Sequence, residues 1–145
     1  MKSGQKNSER FVSKVFQDVF DKYDLMNDLM SLGVHRLWKK QFINWLNPQK
    51  NTMLLDVASG TGDIAKLYLE KVNYEGCVYC FDENKGMLNL NKKKIKENSY
   101  IKWFNGNAEN LPYESNFFDY YTISFGIRNV SNIDKAIKEA YRVLK

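Results

Sequence analysis

Histidine and cysteine are nearly absent: His35 is the only histidine and Cys77 and Cys80 are the only cysteines in 145 residues. A four-ligand zinc site cannot be assembled from the usual Cys and His donors with so few of them. The cysteines do form C-x-x-C, but they fall inside a predicted strand, where residues three apart point to opposite faces. They read as free thiols in a reducing compartment, and no metal site is expected. No apolar run approaches the roughly 20 residues that span a bilayer. Met1-Lys2-Ser3-Gly4-Gln5-Lys6-Asn7 is polar and lacks the apolar core of a secretory signal. Arginine is scarce as well. Only Arg10, Arg36, Arg128 and Arg142 occur, so the formal charge of +5 is almost wholly lysine. Nucleic-acid surfaces group arginine with aromatics, whereas the densest basic run here, Lys92-Lys93-Lys94 with Lys96, follows Met87, Leu88 and Leu90 on a predicted helix. That run reads as a solvated face, which leaves weak attraction to an anionic membrane surface and no nucleic-acid partner. Repeats and low-complexity segments are missing too.

What is present is an ordinary globular composition, 43% hydrophobic and 27% charged, at a length that supports one domain with a real core. The chain is organised around Met53-Leu54-Leu55-Asp56-Val57-Ala58-Ser59-Gly60-Thr61-Gly62-Asp63-Ile64-Ala65. An apolar run bounded by polar residues is the pattern of a short buried strand. A Ser-Gly-Thr-Gly turn follows, and then Ile64, Leu67, Tyr68 and Val72 recur at helical spacing. Glycine in such a turn allows unusual backbone angles and lets a ligand come close, and the helix start behind it offers free N–H groups. Gly60 to Ala65 satisfies G-x-G-x-x-A, a dinucleotide fingerprint, so an NAD-dependent oxidoreductase is one reading. Yet Asp56 ends the strand and Asp63 opens the helix, and two carboxylates would repel a pyrophosphate. They suit a ligand with a positive end and no phosphate, such as S-adenosylmethionine. Asp82, twenty positions after Gly62, ends the run Cys77-Val78-Tyr79-Cys80-Phe81. A carboxylate at that strand tip is placed to accept hydrogen bonds from ribose hydroxyls in either ligand class.

The flanking chain predicts two regions, a helical cap over residues 1–50 and a cofactor-binding domain over 51–145. In the first, Val12, Val15, Phe16, Val19 and Tyr23 give a helix over about 8–23. After a polar, turn-rich piece, Leu37, Trp38, Phe42, Trp45 and Leu46 give a second helix, stopped at Asn47-Pro48 because the residue before proline avoids the α region. This segment is expected either to bury its aromatics on the main domain or to form one wall of a pocket for an apolar substrate. In the second region strands alternate with helices, the pattern of a parallel sheet with helices on both faces. The predicted strands are Met53–Ala58, Cys77–Asp82, Tyr100–Phe104 and Phe118–Phe125. Helices are expected at Gly86–Lys96 and after Ser131, a plausible N-cap with Asp134 three residues on. The sequence ends at Arg142-Val143-Leu144-Lys145. A further parallel strand is expected to pair beside the fourth, so the chain reads as part of a longer enzyme.

Several of these stretches together resemble the C-methyltransferases of ubiquinone and menaquinone biosynthesis (UbiE-type). The similarity runs through Tyr23-Asp24-Leu25-Met26-Asn27-Asp28 with Ser31, His35-Arg36 and Trp38, through Leu55 to Ala65, and through Asn107-Ala108-Glu109-Asn110-Leu111-Pro112. It continues in Thr122-Ile123-Ser124-Phe125-Gly126-Ile127-Arg128-Asn129-Val130 and Tyr141-Arg142-Val143-Leu144-Lys145. Five blocks in order, from about Phe11 to Lys145, are far more specific than one glycine turn. Two departures stand out: Ser59 where the family commonly has glycine, and the absence of the C-terminal strands.

The resemblance implies a Rossmann-like S-adenosylmethionine-dependent methyltransferase fold that stops after the fourth strand and its helix. It implies S-adenosylmethionine as cofactor and a prenylated quinol as substrate, a polyprenyl benzoquinol in ubiquinone biosynthesis or, as the alternative, demethylmenaquinol. A non-catalytic cofactor-binding subunit of a quinone-synthesis complex is a further alternative. By matching motif, Gly60 and Thr61 would contact the methionine part of the cofactor and Asp82 its ribose. Asn107 and Ala108 would flank the adenine, with Met87 packing near it, and Ser124 would line the floor. Arg128, Asn129 and Tyr23 would face the acceptor. A ring carbon is a poor nucleophile until a neighbouring hydroxyl loses its proton. Arg128, always protonated, is suited to stabilising that phenolate rather than to taking the proton, with a bound water as the base. His35, the only side chain titrating near neutrality without help, is the rival base, with a packing role as its plainer reading. The family also implies a peripheral membrane surface, a quinone-biosynthesis complex and a homodimer as partners. Its setting would be the matrix side of the mitochondrial inner membrane in a eukaryote, and the cytoplasm otherwise.

Overall fold

The computed structural model describes residues 33–95 and 99–145. The chain divides into two compact units, 1–40 and 41–145. The predicted helix over 8–23 and the N-terminal motif containing Tyr23 lie outside the described residues. Helix α1 spans Val34–Leu46 and ends as expected before Pro48. Its second half buries Ile43 and packs Phe42 and Leu46 against the core. Leu37 and its two tryptophans, Trp38 and Trp45, are exposed, Trp45 at 78%, where burial of the aromatics is one expectation.

Strand β1 (Thr52–Val57), β2 (Gly76–Asp82), β3 (Ile101–Asn105) and β4 (Tyr120–Ile123) form one parallel sheet in the order β3-β2-β1-β4. Between them run α2 (Asp63–Lys71) and α3 (Lys85–Lys94), and α4 (Ile133–Val143) follows β4. This is the Rossmann-like arrangement the strand–helix alternation predicts. Alternate residues of each strand serve opposite faces. Leu54, Val78, Cys80, Ile101 and Trp103 meet α2 through Ile64, Ala65, Tyr68 and Leu69. Leu55, Val57 and Phe81 meet α4 through Ala136 and Val143. Cys80 is buried on the first face and Cys77 is only half-buried, which matches the opposite orientations read from their spacing. On the second face Tyr79 stacks on Phe104 at 5.6 Å, and Phe118 meets Phe117 edge-on at 4.9 Å and Tyr113 at 5.0 Å.

Two boundaries differ from expectation for identifiable reasons. The fourth strand is shorter than Phe118–Phe125. At its start Asp119 is held by its side chain, whose Oδ2 accepts from Met53 N at 2.8 Å. At its end Phe125 has φ 61°, which no strand accommodates. The cap of α4 is Asn132, not Ser131: Asn132 Oδ1 accepts from Lys135 N at 3.0 Å, the geometry of a side-chain N-cap. Beyond α4, Leu144 forms a parallel bridge with Phe118, and Lys145 N donates to Phe118 O at 3.0 Å. Of the pairing expected beside β4, the described residues show this one bridge.

Candidate cofactor and acceptor site

The strand order reverses at β1, because β2 and β3 lie on one side of it and β4 on the other. In parallel sheets ligands bind outside the carboxyl ends of the strands at such a point. A cavity of about 360 Å³ lies there, lined by the strand ends Val57, Phe81 and Ile123 and by the residues just after them. That volume falls at the lower end of the roughly 300–1,000 Å³ typical of small-molecule sites.

The turn after β1 forms its first wall. Ala58, Gly60 and Gly62 all have positive φ, at 52°, 52° and 78°. Gly62 N closes the turn on Ser59 O at 2.9 Å. The buried amide of Asn91, on α3, donates to Gly60 O, and Gly60 N donates to Asp82 Oδ2 at 2.9 Å. The other oxygen of Asp82 accepts from Asn84 N at 2.9 Å. Asp82 thus ties the glycine turn to the end of β2, and each of its oxygens keeps a lone pair for a ligand. Asn84 also caps α3, its Oδ1 accepting from Met87 N at 3.1 Å, and this sets Met87 beside the turn: its Cε lies 3.9 Å from where a Cβ on Gly60 would stand.

The second wall is the loop after β3. Gly106 sits so close over Phe81 that a Cβ there would meet the ring at 2.3 Å. Asn107 Nδ2 reaches Glu83 Oε1 at 3.4 Å, and Asn107 Oδ1 accepts from Glu109 N at 2.7 Å. Glu109 Oε1 in turn accepts from Asn132 N at 2.9 Å. Helix α4 clamps the same loop. Arg142 donates to Leu111 O, to Tyr113 O and, through two nitrogens, to Glu139, while Leu111 N donates to Glu139 Oε2 at 2.7 Å. The Arg142 hydrogen bond holds the Glu139 carboxyl below its ordinary range.

The third wall is the turn after β4, a short 3-10 helix over Gly126–Asn129. Gly126 is buried against the first turn, where a Cβ on it would stand 2.2 Å from Ala58 Cβ. Arg128 and Asn129 are exposed, and Asn129 lines the cavity.

Of the residues singled out from the sequence, Asp82, Asn107, Ala108 and Asn129 line the cavity. Gly60 and Met87 stand behind Asp82, through the contacts just given. Thr61 and Ser124 are half-buried and Arg128 is exposed, and none of the three lines it. Tyr23 lies outside the described residues, and His35 belongs to the unit 1–40. Asp56 and Asp63, the carboxylates weighed against a pyrophosphate, do not line the cavity. Asp56 is 1% exposed and its Oδ1 accepts from Thr122 Oγ1 at 2.7 Å, so it joins β1 to β4. The acidic residues of the cavity are Asp82, Glu83 and Glu109, with no lysine or arginine among the described residues lining it. Glu83, Glu109 and Ser131 line the cavity as well, though not singled out as site residues from the sequence: Glu109 stands only within a motif block, Ser131 only as a candidate cap, and Glu83 only beside a strand end.

Comparison with known proteins agrees with this geometry. A profile described as the ubiE/COQ5 methyltransferase family matches residues 3–145. The chain is 43% identical to the 2-methoxy-6-polyprenyl-1,4-benzoquinol methylase, mitochondrial, of Dictyostelium discoideum, covering 97% of this chain and 55% of that protein. It is 54% identical to the ubiquinone/menaquinone biosynthesis C-methyltransferase UbiE of Rickettsia prowazekii (strain Madrid E), covering 92% and 56%. The chain therefore spans about half the length of the curated relatives it matches. Among solved structures, YcgJ of Bacillus subtilis superposes with TM-score 0.67 at 25% identity, over 74% of this chain and 45% of that one. A SAM dependent methyltransferase from Aquifex aeolicus gives TM-score 0.67 at 21% identity, over 74% and 58%.

Proposed function

The chain belongs to the ubiE/COQ5 methyltransferase family, and from that premise we propose that it binds S-adenosylmethionine at the carboxyl edge of its sheet and methylates a ring carbon of a polyprenyl benzoquinol in ubiquinone biosynthesis. The observation that carries the cofactor is the charge of the cavity. Three carboxylates, Asp82, Glu83 and Glu109, line it with no cation among the described lining residues. These carboxylates would repel a pyrophosphate, which weighs against the NAD reading of the glycine turn and favours a phosphate-free ligand with cationic groups. The residues present fit that ligand. Asp82 accepts from ribose hydroxyls through its remaining lone pairs. Asn107 and Ala108 flank an adenine against the apolar side of the cavity, where Phe81, Ile123 and Val130 stand. Gly60 and Thr61 approach the methionine part, and Met87 backs the turn.

Bound S-adenosylmethionine supplies an electrophilic methyl group on its sulfonium. The chain's own residues have two tasks, to orient the acceptor ring toward that methyl and to stabilise the phenolate that makes the ring carbon nucleophilic. Arg128, exposed on the turn after β4, holds the phenolate oxygen as a permanent cation. Asn129, at the cavity edge, orients the ring, and a water takes the proton. Ser124, which the family motif puts at the floor, stands half-buried just after β4. A naphthoquinol acceptor, demethylmenaquinol, is the second reading, favoured by the name of the Rickettsia relative, which includes menaquinone. A prenyl tail places either acceptor in a membrane, and the lysine-rich charge of +5 favours a peripheral surface. No described helix is long and apolar enough to cross a membrane. In a eukaryote that surface is the matrix side of the mitochondrial inner membrane, in line with the mitochondrial names of eukaryotic relatives; otherwise it is the cytoplasmic one. A quinone-synthesis complex and a homodimer complete the expected partners.

Calorimetric titration with S-adenosylmethionine, with NAD in parallel, tests the cofactor. Saturable binding of the first alone is the expected result. Binding of NAD alone would overturn the reading.

A further inference from the structure

Phe125, in the turn between the cavity-lining Ile123 and Gly126, is a residue that neither its backbone nor its packing accounts for. Its φ is 61°, in the left-handed region that disfavours bulky side chains. Four of the described non-glycine residues with positive φ are asparagines, Asn47, Asn51, Asn73 and Asn116, the type that tolerates the region best. Tyr74 is the other aromatic among them, and its ring has an edge-on partner in Tyr100 at 5.9 Å. Phe125 has no aromatic partner among the described residues and is 55% exposed. Burial therefore does not offset its disfavoured backbone, and glycine would adopt the same angle freely.

Its neighbours indicate what does. Phe125 caps the 3-10 turn Gly126–Asn129. Ile123, two residues before it, and Gly126, one after, both line the cavity. The same turn presents the Arg128 guanidinium and the Asn129 amide at the surface. One short turn thus carries an exposed phenyl ring, a permanent cation and an amide next to residues that line the proposed cofactor cavity. That set matches an aromatic acceptor bearing an ionisable hydroxyl, since aromatic faces stack or meet edge-to-face and guanidinium pairs with oxyanions.

We propose that Phe125 is the platform on which the acceptor ring packs, and that it sets affinity for the acceptor without touching the cofactor. This rests on the methyltransferase reading above. The test compares the wild-type enzyme with Phe125→Gly, Phe125→Leu and Phe125→Tyr in the intact protein. It measures the S-adenosylmethionine Kd by calorimetry, KM and kcat for a prenylated quinol, and thermal melting. Phe125→Gly should raise the acceptor KM about tenfold, as expected for loss of aromatic packing, and leave the cofactor Kd within about twofold, on the scale of RT in free energy. Its Tm should hold or rise, because the left-handed angle is then unstrained. Phe125→Leu should fall between, and Phe125→Tyr should restore the wild-type KM. An unchanged acceptor KM in Phe125→Gly, with the wild type active, would overturn the proposal alone. So would a cofactor Kd or a Tm that worsens in step with the KM, since the ring would then be structural. A wild type that neither binds S-adenosylmethionine nor transfers a methyl group would overturn the methyltransferase reading and this proposal with it.

Discussion

The turn after β1 and the turn after β4 touch at the carboxyl edge of the sheet, but they use glycine for different reasons. In the first, Gly60 and Gly62 occupy left-handed positions, and at Gly60 nothing stands nearer than 3.9 Å to a would-be Cβ. The demand at Gly60 is conformational alone, and at Gly62 Trp103 adds a demand for space. In the second, the left-handed position belongs to Phe125, while Gly126 has ordinary φ and is needed because Ala58 lies against it. The demand there is space. The first turn is tied to the end of β2 through Asp82, whose carboxylate it shares with the cavity, an arrangement suited to a cofactor. The second is a platform of side chains, suited to an acceptor. A glycine motif is thus informative about a backbone shape only where φ requires it, and the two turns need separate tests.

The sharpest separation comes from function. Arg128→Ala should lower turnover by about 1,000-fold or to background, with S-adenosylmethionine affinity intact by calorimetry. Normal turnover would break the assignment of the second turn to the acceptor. Next in size is a stability series read by denaturant unfolding. Gly126→Ala should cost about 3 kcal/mol, because its Cβ meets another Cβ fixed to a backbone rather than the end of a flexible chain. Gly62→Ala combines φ 78° with Trp103 Cη2 at 2.8 Å and should cost about 2 kcal/mol. Gly60→Ala pays only for φ and should cost about 1 kcal/mol. The order matters more than the values: Gly126→Ala falling below Gly60→Ala would erase the contrast between space and shape.

The loop after β3 sharpens the comparison from a third side, since side chains and not glycine φ hold it to α4. Arg142→Met should destabilise by about 1–2 kcal/mol, the range for charge-assisted hydrogen bonds on a partly exposed group, and should weaken cofactor binding by freeing Asn107 and Ala108. Smallest is a pH effect on the same clamp. The Glu139 carboxyl is depressed by Arg142, so its contribution to stability is complete above the ordinary glutamate pKa of about 4.3. That contribution is lost as pH falls through the lower folded value. Melting measured from about pH 6 down to about pH 3 should fall less steeply in Glu139→Gln than in the wild type, and identical slopes would deny the clamp its electrostatic part.

Much of this was readable along the chain. The strand–turn–helix at Met53–Ala65, the four-strand alternation, the end of α1 before Pro48 and Asp82 at a strand tip are all local patterns, and the structure has each within a residue or two. Asn132 in place of Ser131 as the α4 cap was not readable, since adjacent residues of similar capping preference differ only in which one takes the extended backbone. Nor was the role of Asp56. A carboxylate at a strand end looks the same in sequence whether it faces a ligand or, as here, a threonine on the neighbouring strand.

By itself the sequence determined the periodicities, the glycine turn and the ordered motif blocks, because these depend on residues within a few positions of one another and on the backbone angles they allow. The tertiary structure alone decided which carboxylates face the cavity, why Gly126 must be glycine, and how α4 grips the loop after β3. Each of those is a contact between residues far apart in the chain. Local propensity carries no record of such contacts, and close packing in the folded core creates them.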